Sequence, residues 1–174
     1  NAGGLGILCA DTCEANGLKV QPLSHATREK LRRFLPAEAS IGNPVDMIAS
    51  ATGDDYARAI RTVAADPDVD AVIVIYIPPE TTRAPEIGRA IAGALERIDG
   101  RIPVATTWMS TKGLPAPLQE GGTRIPSFAF PEQAAIAMAH AAKYGAWRER
   151  PVGTIPHLHD TRIDEAVGII ANAL

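Results

Sequence analysis

The first six residues, NAGGLG, form a glycine-rich turn that leads into a segment whose apolar residues recur at helical spacing. Glycines at a helix start leave backbone N–H groups accessible, and the helix dipole adds partial positive charge there, so the turn could bind a phosphate group. The same glycines would also let a helix pack closely on a sheet, and the pattern leaves both interpretations open. The turn matches neither a Walker loop nor the GxGxxG spacing of a dinucleotide-binding turn.

A second candidate is the tetrapeptide Asn43-Pro44-Val45-Asp46. The proline fixes the backbone, and Asn43 and Asp46 place an amide and a carboxylate beside a predicted strand. Hydrogen bonds from such side chains to nearby backbone groups also explain a capped turn, and the pattern alone favours that structural interpretation.

A third set of polar residues lies at and just beyond the carboxyl end of the predicted strand 103–109 and comprises Thr106, Thr107, Ser110 and Lys112. Ligands favour the carboxyl ends of the strands in open α/β sheets, so these residues could bind an anion. Hydrogen bonds within an ordinary turn would explain these polar residues equally well.

The remaining reactive residue types give no catalytic or metal-binding set. No histidine stands near a carboxylate and a nucleophile at the spacing of a catalytic triad. The histidines are His25, His140, His157 and His159. Cys9 and Cys13 lie four residues apart in a predicted helix, where they share one face and bridge no distant segments. We therefore expect free, buried thiols in a reducing compartment such as the cytoplasm.

Strands and helices alternate along the chain, which predicts a parallel sheet with helices on both faces. The predicted strands cover 18–21, 44–49, 71–77, 103–109 and 127–130, and the predicted helices cover 5–16, 24–34, a segment from 53, 85–98, 131–144 and a final stretch from 161. A glycine-rich turn normally follows a strand, so we expect the first strand of the sheet to be missing. An open sheet edge can recruit a strand from a neighbouring chain, which would give a homo-oligomer.

Composition excludes several classes of function. The chain has 174 residues, a net charge of −3 and 21 % charged residues, so no basic excess points to nucleic acid or to a membrane surface. No apolar run reaches the roughly 18 residues that a membrane-spanning helix needs.

Five segments in order resemble the ADP-forming acetyl-CoA (acyl-CoA) synthetases, which are relatives of succinyl-CoA synthetase. They are NAGGLGILCADTCEANGL, GNPVDMIASA, YARAI, DPDVDAVIVIYIPP and AAKYGAWRERPVG. The resemblance implies a three-layer, flavodoxin-like α/β domain over residues 1–146, the second of two such domains in the family. It also implies that residues 147–174 lead toward an ATP-grasp domain.

The resemblance further implies an activity that joins a carboxylic acid to CoA through a phosphohistidine, using ATP or ADP, Mg²⁺ and CoA in the full-length enzyme. Partners would be the CoA-binding, phosphohistidine and ATP-grasp domains of the same protein, and this domain would bind no cofactor tightly. The histidine motif of the family is absent here, so no catalytic residue is transferred.

Site residues carry over from the same resemblance. The phosphate site maps onto Asn1, Gly3 and Gly4, and Asn43, Pro44 and Asp46 would line it. Two alternatives remain open at this point. One is a regulatory module of a fused protein-lysine acetyltransferase, and the other is a domain that serves only for packing between its neighbours.

Overall fold

The computed structural model describes residues 1–78, 83–98, 102–110, 113–119, 125–156 and 161–173. The strands in this part of the chain are β1 (Val72–Tyr76), β2 (Val104–Trp108) and β3 (Ser127–Phe128). The helices are α1 (Gly3–Ala15), α2 (His25–Arg32), α3 (Gly53–Ala64), α4 (Ala84–Glu96), α5 (Ala116–Gln119), α6 (Pro131–Arg148) and α7 (Ile163–Ala173).

The three strands form a parallel sheet in the order β1-β2-β3. Val72 pairs with Val104, and Thr106 pairs with Ser127. Helix α3 packs against α4, and α1 packs against α6. The predicted architecture, a mixed α/β domain with a parallel sheet and helices on both faces, is confirmed.

Side-chain alternation along β1 divides the core into two halves. Val74 and Tyr76 pack with α3 and α4, whereas Ile73 and Ile75 pack with α1 and α6. The uninterrupted apolar run therefore serves both faces of the sheet, as expected of a covered parallel strand.

An aromatic cluster fills the half of the core beneath α3 and α4. The rings of Tyr56 and Tyr76 meet edge to face with centroids 5.6 Å apart, and Tyr76 lies 4.3 Å from Trp108. Such pairs each contribute about 0.5–1.5 kcal/mol beyond simple burial. The three rings fix α3 against the carboxyl ends of β1 and β2.

The half beneath α1 and α6 is built from small side chains. Cys9, Cys13 and Ala135 are buried together, and neither cysteine forms a disulfide. Burial, followed by the neighbouring Cys13, raises the pKa of the Cys9 thiol to about 12. The prediction of free, buried thiols is confirmed.

Two predicted strands are wrong. Residues 18–21 have no regular secondary structure and pair with none of the strands in the described part of the chain. Residues 44–49 carry only an isolated antiparallel bridge between Ser40 and Asp46. Ile48 has φ +59°, a left-handed backbone conformation that ends an extended run.

Helix bounds differ from the predictions at several ends. Helix α6 continues through Arg148 instead of ending at Tyr144, and so it crosses the predicted division after residue 146. Helix α7 has no buried residue. Among the described residues, no helix is both long and apolar enough to cross a membrane.

Candidate anion site at the start of helix α1

Asn1 ties the start of the chain to the carboxyl end of β1. Its side-chain Nδ2 donates to the backbone oxygen of Ile77 at 2.8 Å, and its Oδ1 accepts from the Ile77 N–H at 3.0 Å. These two hydrogen bonds place the start of α1 at the edge of the sheet where ligands of open α/β folds bind.

Tyr56 provides a second tie from helix α3. The Asn1 amino group donates to the Tyr56 hydroxyl at 3.2 Å, and that hydroxyl donates to the Ile75 carbonyl at 3.2 Å. Burial, together with the nearby Tyr76 and Asp46, raises the pKa of Tyr56 well above its usual range. The hydroxyl therefore stays protonated and acts as a structural link between Asn1 and β1.

Helix α1 begins without a side-chain cap. Ala2 occupies the N-cap position, and its carbonyl accepts from the amides of Leu5 and Gly6 at 3.2 Å. Within the described chain, the amides of Gly3 and Gly4 have no hydrogen-bond acceptor. These N–H groups and the helix dipole leave partial positive charge at this point.

Asp46 brings one negative charge to the side of this helix start. Its Oδ2 lies 2.7 Å from the position that a Cβ on Gly3 would occupy, and its Oδ1 accepts from the Ile48 N–H at 3.0 Å. Gly3 is therefore required for close approach of the carboxylate. Asp46 and any external anion would therefore both interact with the partial positive charge at the helix start.

Gly4 differs from its neighbours because its surroundings are open. No atom lies within 4 Å of the position of a Cβ on Gly4, and the residue is exposed. In contrast, a Cβ on Gly6 would lie 3.2 Å from the Cβ of Pro44. Close packing thus explains Gly3 and Gly6, whereas no contact within the described chain explains the glycine at position 4.

The structure brings most of the predicted site residues together. Asn1, Gly3 and Gly4 form the helix start, and Pro44 and Asp46 pack against its side. Asn43 takes another role, since its Nδ2 donates to the Gln21 carbonyl at 2.9 Å.

The threonines after residue 103 do not offer a ligand site. Thr106 and Thr107 are both buried in β2, and the Thr106 hydroxyl lies 3.4 Å from the Pro126 carbonyl. Ser110 lies beyond the end of β2. Lys112 lies outside the described residues, as do His157 and His159.

His25 and His140 are exposed on α2 and α6, respectively. In the part of the chain that the structure describes, no three His, Cys, Asp or Glu side chains are grouped so that they could hold a metal ion.

Tyr56 and Ile77 were not predicted as parts of the site. Tyr56 falls in the predicted helix from residue 53, and a helical pattern does not show where its hydroxyl finds the partner that a buried tyrosine usually needs. Ile77 contributes through its backbone, which carries no signal in the side-chain pattern.

Comparison with known proteins gives a consistent set of relatives. Residues 1–98 match the model of the Ligase-CoA domain. Acetate–CoA ligase [ADP-forming] II subunit alpha of Pyrococcus furiosus is 38 % identical over 142 residues, which are 79 % of this chain and 31 % of that protein. Acetate–CoA ligase [ADP-forming] of Methanocaldococcus jannaschii is 34 % identical over 83 % of this chain and 21 % of its own length.

A solved structure agrees with these relatives. The apo form of dinucleotide-forming acetyl-coenzyme A synthetase 1 of Candidatus Korarchaeum cryptofilum superposes with a TM-score of 0.75 at 26 % identity. The superposition covers 85 % of this chain and 32 % of that one. The chain thus spans about a third or less of the length of the proteins it matches here.

Proposed function

The chain belongs to the Ligase-CoA domain family, and on that premise we propose that it acts within an ADP-forming acyl-CoA synthetase. Its part is to present the amides at the start of α1 to a phosphoryl group carried by a histidine of another domain. The full enzyme joins a carboxylic acid to CoA while ATP and ADP interconvert. The names of both curated relatives favour this function over a regulatory module of an acetyltransferase.

The observation that carries the proposal is the combination of unpartnered amides at Gly3 and Gly4 with the open space around Gly4. An anion at a helix start receives hydrogen bonds from backbone N–H groups that are already oriented. Fixed donors of this kind stabilise charge without reorganising during the reaction. Asn1 supports the site by fixing the helix start to β1.

An apolar surface beside Gly4 fits contact with another domain. Ile7 and Leu8 follow Gly4 by three and four residues, so they share its side of the helix. Their side chains are 58 % and 48 % exposed. A neighbouring domain could cover them while it delivers its phosphoryl group to the amides.

The test compares Gly4→Val with Gly93→Val in the full-length enzyme. Cα–Cβ bonds tilt toward the N-terminus of a helix, so a side chain at Gly4 would project over the anion position. A Cβ at either glycine meets no atom within 4 Å, and Gly93 lies in α4, away from the helix start. We expect Gly4→Val to slow formation of the phosphohistidine from ATP by about tenfold or more.

Gly93→Val should leave the rate of phosphohistidine formation unchanged. Equal rates in the two variants would refute the role of the α1 start. Titration of the 174-residue chain with inorganic phosphate provides a second measurement, in which the Gly3 and Gly4 amide resonances should shift.

A further inference from the structure

Helix α6 extends beyond the body of the domain. Its last buried residue is Ala139, and every residue from 140 to 148 is exposed. At 1.5 Å per residue, the exposed part is about 13 Å long. Most of the stability of helices in proteins comes from packing, and this part of α6 packs on nothing in the described chain. The exposed end of α6 is therefore a candidate interaction surface.

Four exposed side chains form a stripe along one side of α6. They recur at steps of four, four and three residues, which is the spacing of one helix face. The members of this α6 stripe are Ile136, His140, Tyr144 and Trp147. The rings of Tyr144 and Trp147 stack with centroids 5.8 Å apart, and the two residues are 59 % and 61 % exposed. Tyrosine and tryptophan are enriched at interfaces, because each joins a large apolar ring to a polar group.

Helix α7 carries a matching set of apolar side chains. Ile163, Val167 and Ile170 follow one another at steps of four and three residues, and they are 62 %, 59 % and 62 % exposed. An isolated helix shorter than about 12–15 residues is marginal in water. Helix α7 has 11 residues and none of them is buried, so it needs a packing partner for this α7 stripe.

The two stripes match in length when the helices run antiparallel. The α6 stripe rises about 16 Å along its helix, and α7 is about 16 Å long. When Ile163 is set beside Trp147, the following members of the stripes also meet, as far as Ile170 beside His140. Residues 149–162 join the helices, and a chain of that length can cross the 8–10 Å or so between packed helix axes.

Charge favours the same orientation. Lys143 and Arg148 lie near the end of α6, and Asp164 lies in the first turn of α7. Within the described residues none of these three forms an ion pair, whereas Glu165 pairs with Arg162. Each charge suits the dipole at its own helix end. Antiparallel packing also brings the start of α7 beside the end of α6, and so it places Asp164 next to two cations.

We propose that the α6 stripe is the docking surface for α7 of the same chain. The two helices form an antiparallel pair, held by contact between the stripes and by Asp164 beside Lys143 and Arg148. The structure describes α7 by itself, since residues 157–160 lie outside the described residues. This inference does not rest on the proposed phosphate site. The competing occupants of the α6 stripe are a second copy of the chain and another domain of the full-length protein.

Disulfide trapping in the full-length protein tests the register of the pair. His140→Cys is combined either with Ile170→Cys, which faces it in the proposed pair, or with Asn172→Cys, which lies on the opposite side of α7. All three positions are exposed, so the substitutions leave the core intact. Because a disulfide requires Cβ atoms within about 4.5 Å, we expect the first pair to close within one chain at least about tenfold faster than the second.

Two results of the trapping experiment would overturn the proposal. Equal rates for the two pairs would show that the α7 stripe has no preferred place on α6. A disulfide between two chains, formed faster as the protein concentration rises, would assign the α6 stripe to a second copy.

Hydrogen exchange in the full-length protein tests the α6 stripe itself. Tyr144→Asp places a charge in the middle of the stripe, and the control Ala146→Asp places the same charge on another side of α6, also at an exposed position. We expect Tyr144→Asp to speed exchange of the α7 amides about tenfold or more, and Ala146→Asp to change it by less than about twofold. Unchanged exchange in β1 shows that the domain stays folded in both variants.

The exchange of α7 also separates the remaining occupant. If the α7 amides stay protected in Tyr144→Asp, another domain covers α7 and the proposal is wrong. It is equally wrong if the α7 amides of the unaltered protein exchange as fast as those of an unfolded peptide.

Discussion

The carboxylate of Asp46 lies against Gly3, with Oδ2 2.7 Å from the position that a Cβ would occupy on that glycine. The carboxylate is held by the Ile48 N–H at 3.0 Å. A negative charge beside a helix N-terminus is stabilised by the dipole, but it also repels any other anion that approaches the same point. Asp46 should therefore stabilise the empty site and weaken binding of free phosphate.

Asp46→Asn should raise the affinity of the 174-residue chain for inorganic phosphate by about threefold to tenfold, since it removes the nearby like charge. It should also lower the free energy of unfolding by about 0.3–1 kcal/mol, because the favourable interaction with the helix dipole is lost. Calorimetric titration and urea unfolding measure the two effects.

Asp11→Asn is the charge-matched control, because Asp11 is exposed on the same helix beyond its first turns. It should change neither quantity appreciably. Equal gains in phosphate affinity for both variants would mean that only net charge matters, and that Asp46 has no special position.

Two glycines of α4 should respond in opposite directions to the same substitution. A Cβ on Gly88 would lie 2.7 Å from the Pro115 ring, whereas a Cβ on Gly93 would meet no atom within 4 Å. Gly88→Ala should therefore destabilise the chain by about 1–3 kcal/mol through overpacking. Gly93→Ala should stabilise it by about 0.5–1 kcal/mol, because alanine loses less backbone entropy in a helix.

Urea unfolding of both variants checks this pair. If Gly88→Ala were as stable as Gly93→Ala, the close contact between α4 and the segment that carries Pro115 would be disproved.

The sequence predicted the parts of the fold that depend on local pattern. The run AVIVIYI predicted β1 because a covered parallel strand needs apolar side chains on both faces. The predicted helix that starts at residue 24 is α2, and the hydroxyl of its N-cap residue Ser24 accepts from the Thr27 N–H at 3.2 Å. The prediction of a strand at residues 18–21 was wrong. A ladder requires a partner strand, and the pattern of a single segment does not reveal whether a partner is present.

The geometry of the candidate site was less accessible to sequence reasoning. The glycine-rich start pointed to an anion site, but it did not separate Gly3, which makes room for Asp46, from Gly4, which borders open space. The pairing of Asn1 with Ile77 joins residues that are 76 apart in the chain and uses backbone atoms on one side. Only the tertiary structure brings such groups together.

The amino group of Asn1 gives the 174-residue chain a specific pH dependence. Burial lowers its pKa from the ordinary value of 8.0, and the opposing effect of Asp46 is smaller. Between the lowered pKa and 8.0, the unfolded chain binds more protons than the folded chain, so the free energy of unfolding should rise with pH. Above this window the contribution of the amine is constant.

Acetylation of the Asn1 amine provides the comparison. The acetylated chain cannot acquire the charge, so it should lack this part of the rise and be the more stable form below the window. Urea unfolding at several pH values measures both curves. Identical pH profiles would show that the amine is not desolvated in the folded chain.

The thiols of α1 should be unreactive in the folded protein. Burial raises the pKa of Cys9 to about 12, and it raises that of Cys13 as well. Because the thiolate is the nucleophile, iodoacetamide at about pH 8 should modify them at least about 100-fold more slowly than an exposed cysteine. Asp11→Cys supplies that exposed cysteine on the same helix, and mass spectrometry of the alkylated peptides measures all three rates together.

Denaturant should make the three rates similar. Rapid alkylation of Cys9 in the folded chain would instead show that α1 separates readily from α6, and would contradict the close packing of Cys9 and Ala135.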